Sequence, residues 1–160
     1  MVDPNTAAQR LILAREEHFG PIVRGAFRKA GLPVEWGMAI ARLESSFDPT
    51  RSVRTGADGA MGGAWGICQM TLQTAHDELN YKGDGPALLD PTLCSTLAAQ
   101  LCVQHVKIYG SNFKDIAATY NGRFPYVKAN ARARAYADAA CLFAAGYAGK
   151  FDDERDAIVA

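Results

Sequence analysis

Glu44 stands at the end of an apolar helical stretch, "PVEWGMAIARLES" (33–45), and the chain then turns through "SFDP" (46–49). Trp36, Ile40, Leu43 and Phe47 recur at helical spacing and mark a core-facing stripe. Glu44 follows Ile40 by four residues, so it lies about 40° around the axis, on the edge of that stripe. A carboxylate there gains nothing from the helix dipole, whose C-terminal end is negative. Partial burial and the dipole both disfavour the ionised form and raise the pKa, each unit being worth about 1.4 kcal/mol. A carboxyl still protonated near neutral pH suits general-acid chemistry at a glycosidic oxygen. The alternative is a surface glutamate paired with Arg42 or Arg51, and geometry alone leaves both open.

Other side chains invite other chemistry. Asp58, in "GADG", is a second carboxylate for holding water or a turn residue. Cys68 precedes a helical segment and, with His76 or His105, raises a cysteine peptidase. His76 lies eight residues on, an awkward separation for a nucleophile and its base. Cys94 and Cys102 are about 12 Å apart along one straight helix, beyond disulfide reach. The four cysteines therefore read as buried free thiols. His18, His76 and His105 have no ligand spacing, so no metal site is expected. "GADGAMGG" lacks the lysine-serine and helix start of a phosphate loop, and no G-x-S-x-G elbow occurs.

The elements that must position these residues are mostly helical. "NTAAQRLILAREEHF" predicts a helix punctuated by Gly20-Pro21, and "PIVRGAFRKAG" a second ending on Gly31. Pro33 opens a third. Residues 48–66 carry five glycines and no sustained period, predicting a long functional loop or a small β-hairpin. "TLQTAHDELN" returns to helix, with Thr71 as N-cap. "YKGDGPALLDP" is irregular. "DPTLCSTLAAQLCVQHVKIYG" predicts a long helix with Leu97, Leu101 and Ile108 among its apolar positions. "NFKDIAATYNG" predicts a short one ending at Asn121-Gly122, and "PYVKANARARAYADAACLFAAGYAG" the last. The expected fold class is mainly α, one domain over residues 1–160.

Composition narrows the partners. Acidic and basic residues cancel at 17 each in a chain of 160, so nothing draws it to nucleic acid. "KANARARAY" reads as a solvated helix face; Tyr126 and Tyr136 are candidates to face sugars, but aromatic residues on a helix are more often core. No apolar run spans a bilayer, so no membrane insertion is expected. The N-terminus lacks the pattern of a Sec signal.

Three segments, in order, resemble the lytic transglycosylase family, the SLT-type, lysozyme-like domain related to goose-type lysozymes. They are "ESSFDP" (44–49), "GAWGICQMTLQTA" (63–75) and "AATYNG" (117–122), within residues 34–123. The resemblance implies a lysozyme-like fold that cleaves the β-1,4 bond between N-acetylmuramic acid and N-acetylglucosamine in peptidoglycan, without cofactor or metal. It implies Glu44 as the single acid/base, Ser45 holding the helix end or touching substrate, and Gln69 lining the groove. Gly66 would let the glycan approach the backbone. Tyr120 would hydrogen-bond near the catalytic carboxyl, with Asn121 beside it. Thr71 stands where many members have methionine then proline, at the groove. Asp58 falls where goose-type lysozymes carry an extra aspartate, which keeps inverting hydrolysis open if the carboxyls are about 6.5–9.5 Å apart. A non-catalytic wall-binding protein is the remaining rival; Glu44, Gln69 and Tyr120 together argue against it. Since the substrate lies outside the cytoplasmic membrane, the expectation is a monomer carried by a phage virion or released at lysis, or else a secretion-machine component.

Overall fold

The computed structural model describes residues 4–53 and 63–153. Six α-helices and a small three-stranded antiparallel sheet make up the described residues: α1 (Pro4–Lys29), α2 (Val34–Ser45), β1 (Ser52–Val53), β2 (Ala64–Trp65), β3 (Met70–Thr71), α3 (Leu72–Leu79), α4 (Pro91–Tyr109), α5 (Phe113–Gly122) and α6 (Ala131–Tyr147). The mainly helical expectation and the small hairpin both hold, and β3 adds a third strand beyond the hairpin.

The first two expected helices are one. α1 runs through Pro21 because that residue lies on the exposed face, as does Glu17 four residues before it. The Glu17 carbonyl, which loses its helical partner at Pro21, can hydrate there. Meanwhile Val23 and Phe27 are fully buried on the opposite side and keep the helix on the core. Gly31, at φ +74°, then ends it as the sequence predicts.

α2 lies between α1 and α6. Met38, Ile40 and Phe47 are fully buried, and Trp36 stacks on Phe113 with centroids 4.9 Å apart. The helix stops because Ser46 and Phe47 both turn left-handed. Their N–H groups cap it by donating to the Arg42 and Ala41 carbonyls. This fixes Glu44 on the last turn.

α5 and α6 meet through alanines. Ala117, Ala118, Ala133, Ala137 and Ala140 form a small buried cluster of their own. Small side chains let the two axes approach closely; a Cβ on Gly122 would come within 2.6 Å of the Ala133 Cβ. α6 starts later than expected, at Ala131. Asn130 caps it by accepting from the Ala133 N–H, and residues 126–128 form a 3-10 turn. Leu97 and Leu101 of α4 are buried as expected, but Ile108 is 68% exposed, beyond the turns that touch the core.

Candidate active site

A groove of about 500 Å³ opens beside the C-terminal end of α2. Leu43 and Glu44 form one wall, with Val53 and Ala64 of the sheet beside them. Tyr120 and Asn121 come from α5, and Arg132 and Tyr136 from α6. Residues from four separate elements converge here, which requires the close α5–α6 contact described above.

Glu44 is half-buried, and burial pushes its carboxyl up from 4.5 to about 7. Tyr136, Arg51 and Arg132 pull it the other way without overcoming that effect. The paired-surface reading of Glu44 fails. Arg42 is engaged instead with Glu16 at 3.5 Å and with the Phe143 ring, and the Arg51 charge does not offset the lost hydration. Glu44 is therefore the protonatable group the sequence allowed.

Tyr136, for which the sequence favoured a core place over a sugar contact, lines the groove. Its hydroxyl is buried and directed at Glu44, in a contact too loose to count as a full hydrogen bond. Such contacts commonly tighten when substrate fills a site. Arg132, assigned to a solvated face, sits one turn away on the same side of α6 and also lines the groove. The i, i+4 pair was visible in "ARARAY", but which face of α6 meets α5 depends on a long-range contact. Tyr136→Phe removes an influence that favours ionisation. Glu44 should then titrate above 7 and the alkaline limb of the activity profile should move to higher pH, with several-fold lower turnover. A pH–rate comparison checks this; a limb moved to lower pH would refute the assignment.

The other expected site residues separate into groove and scaffold. Gln69 lines the groove, its backbone left-handed at φ 49°. Its Nε2 donates to the carbonyls of Arg51 and Gly66 at 3.0 and 2.8 Å. Both partners are acceptors, so the amide orientation is chemically fixed and Oε1 is left to accept. Asn121 also lines the groove. Tyr120 lines it too, but its hydroxyl donates to the Cys68 carbonyl at 2.8 Å, so it braces the floor beneath Glu44. Thr71 reaches the groove, with its hydroxyl already committed to capping α3: it accepts from Thr74 N–H and donates to Thr74 Oγ1.

Ser45 and Gly66 lie outside the groove. Ser45 is 3% exposed; its hydroxyl donates to the Ile67 carbonyl at 2.7 Å and accepts from Asp48 N–H at 3.0 Å. It takes the first of its two expected roles, tying the end of α2 to the sheet turn, and not the substrate contact. Gly66 is buried and left-handed at φ +74°, and a Cβ there would meet the Leu88 carbonyl oxygen at 2.1 Å. Glycine is required by the fold rather than by an approaching glycan. Asp58 lies outside the described residues.

The peptidase reading loses its nucleophile. Cys68 is 0% exposed, and hydrogen bonding to Cys94 together with burial pushes its thiol up. His76 is committed to the Gly83 carbonyl at 2.8 Å. All four cysteines are free, as expected.

A helical body with a small three-stranded sheet at the mouth of a groove is consistent with a lysozyme-like fold. The Transglycosylase SLT domain model matches residues 22–141, and the chain belongs to that family of peptidoglycan lytic transglycosylases. No curated protein and no solved structure matches the chain. No helix among the described residues is long and apolar enough to cross a membrane.

Proposed function

We propose that Glu44 is the single acid/base of the reaction and that the product carries a 1,6-anhydromuramic end. The supporting observation is its carboxyl, raised to about 7 and the one carboxyl lining the groove among the described residues. In the first step the Glu44 carboxyl donates its proton to the glycosidic oxygen, and the C1–O bond breaks. The substrate's own acetamido oxygen shares the positive charge that develops at C1. Arg51 and Arg132 then face the Glu44 carboxylate that has just formed, and the Tyr136 hydroxyl can donate to it. In the second step that carboxylate takes the proton of the C6 hydroxyl, whose oxygen closes onto C1. Glu44 returns to its starting state and no water is consumed. A group with pKa near the working pH is effective in both steps.

Digestion of purified peptidoglycan followed by mass spectrometry tests this. Products lighter by one water than the muramidase products are expected, and Asp58→Asn should leave their yield within about twofold. Hydrated products that disappear in Asp58→Asn would show an inverting hydrolase instead. For delivery, a phage-borne route or release at lysis stays our reading.

A further inference from the structure

α1 carries two half-buried charges to the segment that holds Glu44. Arg15 and Glu16 lie one turn before Phe19 and Gly20, on the face of α1 that turns inward along its second half. Both stand ahead of the matched residues 22–141. The Glu16 carboxylate accepts from the Tyr147 hydroxyl at 2.8 Å and lies 3.5 Å from Arg42, on the last turn of α2. Arg15 reaches further. Its Nη2 lies 2.9 Å from the Asp48 carboxylate, in the turn that follows α2. The α1 pair thus grips the chain on both sides of Glu44.

Asp48 organises what comes next. Its Oδ1 accepts from the Thr50 N–H at 3.0 Å and the Thr50 hydroxyl at 2.7 Å, leaving Oδ2 for Arg15. Its own carbonyl accepts from the Arg51 N–H at 3.4 Å. This turn delivers Arg51 to the groove. There the Arg51 charge favours ionisation of two carboxyls, Asp48 and Glu44 alike. A cation shared between two anions serves each less than it would serve one alone. Partly exposed ion pairs add little to stability, so the Arg15–Asp48 pair matters through its charge more than through the energy it lends the fold.

Resting on Glu44 as the acid/base, we infer that Arg15 is a positioning residue for the reaction: by neutralising Asp48, it leaves the Arg51 guanidinium to the Glu44 carboxylate that forms in the first step. The sign of the effect depends on the side from which the pair is broken. Without Arg15, the full charge of Asp48 draws on Arg51, and Glu44 holds its proton to higher pH. Without the charge of Asp48, Arg51 serves Glu44 alone and the proton leaves at lower pH. Burial, the main cause of the raised Glu44 value, is the same in both cases. Arg132 and Tyr136 of α6, Tyr120 of α5, and Cys68 and Cys94 also interact with Glu44, and none of them is altered.

Arg15→Gln, Arg15→Lys and Asp48→Asn test it; asparagine keeps an Oδ1 acceptor for Thr50. Peptidoglycan cleavage is followed across the alkaline limb at low ionic strength, with Glu44→Gln beside it. The limb should move up by about half a pH unit in Arg15→Gln and down by a similar amount in Asp48→Asn. Arg15→Lys should match the wild type, and about 0.5 M salt should shrink both shifts. In an Arg51→Gln background both shifts should vanish. A limb unmoved in both variants, or moved the same way in both, overturns the inference, because the pair would then only shape the turn. Shifts that persist undiminished without Arg51 overturn it too. Full activity in Glu44→Gln overturns the proposed function itself, and this inference with it.

Discussion

Glu44→Gln should abolish glycan cleavage, by about a thousandfold or more, and at the same time make the protein more stable above neutral pH. The two effects share one cause. Glutamine keeps the shape and cannot give up a proton, so neither step of the reaction can proceed. The stability effect follows from the raised pKa. In the unfolded chain the carboxyl ionises near 4.5, but in the fold only near 7. The favourable contribution of the neutral carboxyl is fully present below pH 4.5 and is lost as pH rises through 7. At pH 8 the wild type therefore bears the cost of a poorly hydrated charge that the variant lacks. A shift of this size corresponds to about 3 kcal/mol, an upper figure, or a gain in Tm of about 5–10 °C for a chain of this length. Thermal unfolding at pH 8 and pH 4 checks it: the variant leads at pH 8 and the gap closes at pH 4. Equal Tm at both would mean that Glu44 is hydrated, and an active variant would remove it from the chemistry.

Gly66→Ala should be nearly as damaging, although it changes no reacting group. The left-handed backbone costs an L-residue about 1 kcal/mol. The larger problem is the Leu88 carbonyl oxygen, 2.1 Å from where the methyl would sit. That atom is backbone, so it yields only if the segment carrying it moves. Gly66 also donates its N–H to the Arg51 carbonyl and accepts from Gln69 through both backbone and side chain. Displacing it moves Gln69 and loosens Arg51. A loss of at least about 3 kcal/mol is expected, with activity falling in whatever fraction still folds. Thermal denaturation and peptidoglycan turnover measure both. An unchanged Tm would mean that the turn has room the structure does not show.

These predictions differ in how far the sequence could carry them. Glu44 was legible because its chemistry is local: its position on the stripe and at the helix end follows from spacing alone. Thr71 as a cap, and the ends of α4 and α5, were legible for the same reason. Pro21 was misread because propensity speaks only for the residue itself. Val23 and Phe27, packed on the other side of α1, outweigh one lost hydrogen bond on a solvated face. Of the two roles expected for Ser45 only the tie at the helix end holds, and Gly66 was placed in the right motif but given the wrong neighbour, since Ile67 and Leu88 lie 22 residues beyond each. Tyr136 shows the limit most clearly. It is 92 residues from Glu44, and only the alanine-lined α5–α6 contact brings its hydroxyl to the carboxyl.

The account rests on one property, a Glu44 carboxyl that stays protonated to neutral pH. Carbon-detected NMR of protein labelled at glutamate side-chain carboxyls measures it directly, with Glu44→Gln identifying the resonance by its absence. The account predicts a titration midpoint near 7 for that resonance. A midpoint near 4.5 would contradict it, because Glu44 would then be an ordinary solvated carboxylate with no proton to give.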